Sequence, residues 1–246
     1  MILELDCGNT LIKWRLVDGA SIQTGTAPDE AAMLEEVQAV LRGKIKGVRL
    51  VSVRQEAETA AICQALEGAF GQPCQVALPA VQLGGVQNGY EDYRALGMDR
   101  WLAVVGAYTL ARKACLVIDL GTAITADFVS SGGHYLGGFI CPGLPLMRKE
   151  LKEHTARIRY THSEPLDEAM VRMPGRRTSE AVERGCFWMV RGFVREQCEL
   201  AAQLLEPDYE VFLTGGDAYM VRDVAITGRL VPDLVFAGLA VACPLG

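Results

Sequence analysis

No run of basic residues longer than a few occurs in this chain of 246 residues, and its 24 lysines and arginines are outnumbered by 30 acids. A net charge of -6 argues against a nucleic-acid partner, because phosphate backbones are bound by clustered Lys and Arg. No apolar stretch reaches the 18 or so residues that span a bilayer; the apolar runs at 101–111 and 234–246 fall well short. The start MILELD has neither the basic region nor the long apolar core of an export signal. The eight cysteines (Cys7, Cys63, Cys74, Cys115, Cys141, Cys186, Cys198, Cys243) have no CxxC or other metal-ligand spacing, so they read as buried free thiols. The three histidines, His134, His154 and His162, form no ligand cluster. Walker A (GxxxxGK[ST]) and the protein-kinase HRD and DFG signatures are absent, which removes those nucleotide folds. A cytoplasmic protein without membrane or nucleic-acid partners is expected.

What is present is a compact composition, half apolar and 22% charged, and a sequence that contains itself twice. Laid over each other at an offset of 113, LELDCGNTLIKWRLVDGASIQTG and LVIDLGTAITADFVSSGGHYLGG align Leu3 with Leu116, Asp6 with Asp119, Gly8 with Gly121, Gly19 with Gly132 and Gly25 with Gly138. In each copy an apolar strand ends in Asp-x-Gly-Asn/Thr and two further strands follow. The period then changes from 2 to 3.6. Helices are expected at 28–41, 55–70 and 99–112 in the first half, with strands at 47–53 and 74–78. The second half reads as helices at 142–155, 178–205, 217–227 and 231–241, with a strand at 209–214. The pattern predicts an α/β fold of two related domains, each a mixed sheet flanked by helices, spanning 1–113 and 114–246 with a central cleft.

Glycine at a hairpin tip permits positive φ and leaves no side chain, so phosphate can approach backbone N–H groups. Asn9, Thr10 and Thr122 add donors, and two such tips could clamp a polyphosphate. Asp6 and Asp119 would repel phosphate and therefore act through cations; taken singly, each could instead close its turn as an Asx-turn. A third small-residue turn, LTGGDA at 213–218, sits where a strand passes into a helix, whose N-terminal dipole favours anions. Asp99 in GMDRW reads either as a cap on the amides of Trp101 or Leu102 or as a general base. Arg100 and the RMPGRRT stretch at 172–178 read, by themselves, as solvated surface. Trp14, Trp101, Trp188, Met98 and Phe139 read as core.

DCGNT, DLGTAIT and TGGDA resemble the actin/hexokinase/Hsp70 ATPase superfamily, and GMDRW (97–101) with GGFICPG (137–143) makes the chain resemble type III pantothenate kinase over nearly its whole length. The resemblance implies two actin-like (ribonuclease H-like) domains and ATP-dependent phosphorylation of pantothenate to 4′-phosphopantothenate, the first step towards coenzyme A. It implies ATP held by Asp6, Gly8, Asn9, Thr10, Lys13, Thr122, Gly215 and Gly216, with Mg²⁺ near Asp6. It also implies a monovalent cation (K⁺ or NH₄⁺) at Asp119 beside Thr122. Pantothenate would lie against Tyr90, Gly97, Met98, Asp99, Arg100 and Thr178, with Asp99 as base, in a homodimer. Ile124 departs from the family, which more often carries threonine there, and that change is expected to be silent. Two rivals are a non-catalytic relative acting as a transcription accessory factor and a sugar kinase of the same superfamily; the CxCGxxGC zinc element of one large sugar-kinase group is absent.

Overall fold

The computed structural model describes residues 1–155 and 171–245. The chain divides into two compact units, one of Met1–Arg112, Gly132–Tyr135 and Asp233–Gly246, the other of Lys113–Ser131 and Leu136–Pro232. The division after Arg112 falls one residue from the expected boundary. The C-terminal segment, expected with the second half, belongs to the first unit.

The first sheet is built from β1 (Ile2–Cys7), β2 (Ile12–Asp18), β3 (Ser21–Ala27), β4 (Gly47–Ser52) and β5 (Cys74–Val76), in the order β3-β2-β1-β4-β5. Strands β1 to β3 form an antiparallel meander, while β4 and β5 join parallel. A strand presents alternate residues to opposite faces. Leu3, Leu5 and Cys7 accordingly enter a core with Met33 and Val37 of α1 (Glu30–Val40) and Ile62 and Leu66 of α2 (Glu56–Phe70). Glu4 and Asp6 take the other face. Glu4 is fully buried there between Arg15 and Arg49, and Arg49 Nη1 donates to the carbonyl of Cys243 at 2.9 Å. The short hairpin of β6 (Gln82–Leu83) and β7 (Val86–Gln87) leads to α3 (Met98–Ala111). The sequence reading had no strands in this stretch, because two-residue strands leave no periodicity to detect.

The second sheet repeats the first. It comprises β8 (Ala114–Leu120), β9 (Ala123–Val129), β10 (Tyr135–Pro142), β11 (Tyr209–Thr214) and β12 (Arg229–Leu230), ordered β10-β9-β8-β11-β12. Leu116, Ile118 and Leu120 pack with Val182, Cys186, Val190 and Val194 of the long helix α5 (Thr178–Leu204). The helix α4 (Leu144–His154) precedes it and α6 (Leu234–Ala242) closes the chain. In the first unit α6 lies tightly on α3: a Cβ on Gly106 would come within 2.4 Å of the Leu234 carbonyl oxygen, and one on Gly238 within 2.0 Å of that of Leu102.

Three expectations are corrected. The helix read at 217–227 is only a 3₁₀ turn, Ala218–Val221; Arg191 takes the Met220 carbonyl at 2.9 Å and grips Asp223 with two 2.6 Å bonds, which holds the segment as successive turns. Trp188 and Phe139 are exposed, whereas Trp14, Trp101 and Met98 are buried. Cys7, Cys115, Cys186 and Cys243 are buried and the other four cysteines only partly so; all eight are free.

Candidate active site

In the first unit, Asp6 lies opposite Lys13 on β2 and Val51 on β4, at the end of the sheet where the β1–β2 turn begins. Burial pushes its carboxyl up to about 6; Lys13 opposes that shift and the nearby Asp99 adds to it. The structure thus brings together two acids 93 positions apart in sequence. Two carboxylates sharing a partly buried site make a good cation ligand set, because a cation removes both the repulsion and the desolvation cost. Arg54 Nε donates to the Gly8 carbonyl at 2.9 Å and ties the turn to β4. Asn9, Thr10 and Lys13 are exposed around it. Arg54 escaped the sequence reading, since nothing local connects it to Gly8.

Asp99 is the second residue of α3, and Gly97 is the N-cap. Its Oδ1 accepts from the Arg100 backbone N–H at 2.8 Å, not from Trp101 or Leu102 as expected of a cap; the Trp101 N–H goes to the Gly97 carbonyl instead. A Cβ on Gly97 would come within 2.8 Å of that Oδ1, so the glycine makes room for the carboxylate.

Arg100 is not the solvated residue its local sequence suggests. It is 7% exposed, in the first turn of a helix, where the dipole disfavours a cation. Its Nη1 donates to the Tyr90 hydroxyl at 2.9 Å and its Nη2 to the Tyr135 hydroxyl at 2.8 Å. Tyr90 is held by Asn88, whose Oδ1 accepts the Tyr90 N–H at 3.0 Å. Of the expected acceptor-site residues, Tyr90, Gly97, Met98, Asp99 and Arg100 gather in this unit. Thr178 lies in the other, exposed at the first position of α5.

In the second unit, Asp119 pairs with Thr125 and Thr214 at a register equivalent to that of Asp6. The turn Gly121–Thr122 is closed by Gly121 N–H on the Ala123 carbonyl at 3.1 Å and by Gly143 N–H on the Thr122 carbonyl at 2.9 Å. Gly143 is the N-cap of α4, which aims a helix N-terminus at this turn. Gly215 closes the group from β11 with φ +89°; a Cβ there would lie 2.4 Å from the Leu120 carbonyl oxygen and 2.5 Å from Asp119 Oδ1. Gly216 follows, exposed, and the Asp217 N–H reaches the Leu120 carbonyl at 3.1 Å. Thus DLGT, PG and TGGD form one backbone-lined group beside a carboxylate. Gly8 and Gly121 themselves are outside the positive-φ region. Their value is the missing side chain, which corrects the expectation of positive φ at the tips. Ile124, where the family more often carries threonine, is buried in the core of the second unit.

Among the histidines, His154 lies beside Glu150 at 3.2 Å, with Glu153 near, in an exposed group on α4. His162 is outside the described residues. No described helix is long and apolar enough to cross a membrane.

Comparison with known proteins bears on the family and the fold. The model for type III pantothenate kinase matches residues 2–200. Type III pantothenate kinases of Pseudomonas aeruginosa and Pseudomonas syringae are 54% and 55% identical to the chain, over all of both sequences in each case. Among solved structures, one assigned provisionally as a 2-dehydro-3-deoxygalactonokinase of Sinorhizobium meliloti aligns with TM-score 0.61 at 14% identity over all of both chains. The ethanolamine utilization protein EutJ of Carboxydothermus hydrogenoformans aligns at 0.53 and 14%, covering 98% of this chain and 89% of its own. These distant structures share the fold alone. With its family model matched over most of the chain and full-length identity above one half to curated kinases, the chain belongs to the type III pantothenate kinase family.

Proposed function

We propose that the protein phosphorylates the primary alcohol of pantothenate with ATP, in the cytoplasm, and that the two aspartate turns divide the work. The observation that carries this reading is the start of α3, where Asp99 and the buried Arg100 stand side by side next to Asp6. Pantothenate is a small anion with an alcohol at one end and a carboxylate at the other. Arg100 offers the planar, charge-assisted partner a carboxylate needs, and Tyr90 offers a phenol beside it. Asp99 is an acceptor for the alcohol proton, which must leave as the oxygen attacks the γ-phosphoryl group. The Gly121–Thr122 turn, whose glycine leaves backbone open to approach, the first turn of α4 and the Gly215–Gly216 turn suit phosphate oxygens and nucleotide.

Asp6, with Asp99 near, fits a divalent cation, because its buried carboxyl is costly when ionised and unpaired. Asp119 and Thr122 offer oxygens of the kind a K⁺ or NH₄⁺ ion takes. When bound, these ions would neutralise phosphate charge. For the homodimer, we place the partner on the exposed stripe of α5, where Gly185 and Gly192 have open space over them and flank Trp188 and Met189.

The test is a coupled ADP-release assay with ATP and Mg²⁺, run on pantothenate, hexoses and N-acetylhexosamines in K⁺, NH₄⁺ or Na⁺. Turnover of pantothenate alone, strongly reduced in Na⁺, is expected. Turnover of a sugar without pantothenate would overturn the substrate, and equal rates in the three salts would overturn the monovalent site.

A further inference from the structure

Tyr135 belongs to no motif that the sequence analysis singled out, and it is 3% exposed. It opens β10 directly after the turn whose residues Gly132–Tyr135 count with the first unit. That turn is held by contacts that only glycine tolerates. Gly133 has φ +78°, and a Cβ there would come within 2.2 Å of the Gly85 carbonyl oxygen; one on Gly89 would come within 1.9 Å of the Tyr135 carbonyl oxygen. The Gln87 N–H donates to the Gly133 carbonyl at 2.8 Å. The β6–β7 hairpin and the segment after it therefore fix the backbone of Tyr135 on both sides. Its ring lies 5.8 Å from that of Tyr90, tilted by 30°.

The consequence falls on Arg100. A guanidinium held by one contact still rolls about its bond to the chain. Held through Nη1 by the Tyr90 hydroxyl and through Nη2 by the Tyr135 hydroxyl, it has one plane and one roll angle. Two-point recognition of a carboxylate depends on that plane. Tyr90 is partly exposed and so able to meet a ligand itself, whereas Tyr135 is buried and reaches the ligand side through Arg100.

We propose that Tyr135 is a positioning residue for pantothenate: its hydroxyl, accepting from Arg100 Nη2, sets the guanidinium in the orientation that receives the substrate carboxylate. The inference rests on the reading of Arg100 as the carboxylate partner.

The experiment is steady-state kinetics of the full chain and of Tyr135→Phe, Arg100→Ala and the double variant. Each is run with pantothenate and with the neutral counterpart in which CH₂OH replaces the carboxylate. Phenylalanine keeps the ring and its packing and removes the hydroxyl, which is both the acceptor for Arg100 and a donor. Tyr135→Phe should raise KM for pantothenate roughly tenfold, the scale of one hydrogen bond to a charged group, with kcat within about twofold and KM for ATP unchanged. With the neutral substrate it should match the parent chain. Once Arg100 is alanine, adding Tyr135→Phe should cost nothing more. An equal loss with the neutral substrate would make Tyr135 a shape element and overturn the proposal, as would an unchanged KM in Tyr135→Phe alongside a raised KM in Arg100→Ala. An unchanged KM for pantothenate in Arg100→Ala would instead remove the reading of Arg100 itself, and the positioning role with it.

Discussion

The two sheets have the same strand order and carry an aspartate at the same register, but the turns that follow those aspartates are supported in different ways. In the second unit the Gly121–Thr122 turn is wedged by backbone: Gly143 and Gly215 each stand where a single Cβ would overlap a carbonyl of the turn or of the strand leading into it. In the first unit a long side chain, Arg54, reaches the Gly8 carbonyl, and a Cβ on Gly8 would come no closer than 3.2 Å to the Leu11 carbonyl oxygen. Duplication therefore sets where the acid goes, and the elements added after each sheet decide what surrounds it. A group wedged by backbone suits a ligand bound through N–H donors at fixed spacing. The looser turn lies instead beside a second acid, Asp99, delivered by α3.

That contrast predicts unequal responses to the same substitution. Gly215→Ala should have the largest effect, on the order of 2–4 kcal/mol, from a positive φ and an overlap with backbone together. Thermal melting should fall by roughly 5–15 °C, with nucleotide affinity lost alongside. Gly8→Ala should lower the melting temperature by only a few degrees, since the neighbouring chain has a few tenths of an ångström to yield. Equal losses in the two variants would mean that the turns are supported alike.

A smaller effect, and one of opposite sign, is expected at Asp6. Its folded-state carboxyl is raised from 3.8 to about 6, so the folded chain holds that proton more tightly than the unfolded one does. The favourable contribution is complete below the unfolded value and is lost as pH rises through about 6. Without metal at pH 8, Asp6→Asn should therefore stabilise the protein by about 1–3 kcal/mol. The gain should shrink towards nothing near pH 4. Adding Mg²⁺ should raise the melting temperature of the parent chain and leave that of Asp6→Asn unmoved. A variant less stable than its parent at pH 8 would show that the Asp6 carboxylate has a favourable partner in the resting protein.

The repeat made the fold legible in sequence. Matching acids, glycines and strand periods at one fixed offset announced two copies of one unit, and the strands at 47–53 and 209–214 appear close to where they were expected. The 3₁₀ turn at Ala218–Val221 was not legible, because what breaks the helix is Arg191, about 30 residues upstream. The C-terminal helix was assigned to its sequence neighbours, while the glycines that bind it to α3 lie at positions 106 and 238. At the site, motifs located Asp6, Asp99, Asp119 and the glycines, because turns and helix starts are local features. The Arg54 tie and the Tyr135 contact that helps bury Arg100 join residues 46 and 35 positions apart, which no local pattern in one sequence records.

The most direct test of the central claim, that the start of α3 carries the acceptor chemistry, is the kcat of purified Asp99→Asn with pantothenate at saturating ATP. Asparagine keeps the size of the side chain and its contact with the Arg100 amide, so melting temperature and ATP affinity should stay near those of the parent. If Asp99 takes the proton of the attacking alcohol, kcat should fall by ~10²–10⁴-fold. A folded variant that kept more than about a tenth of the parent kcat, outside that range, would show that Asp99 only shapes the helix start, and would contradict the account.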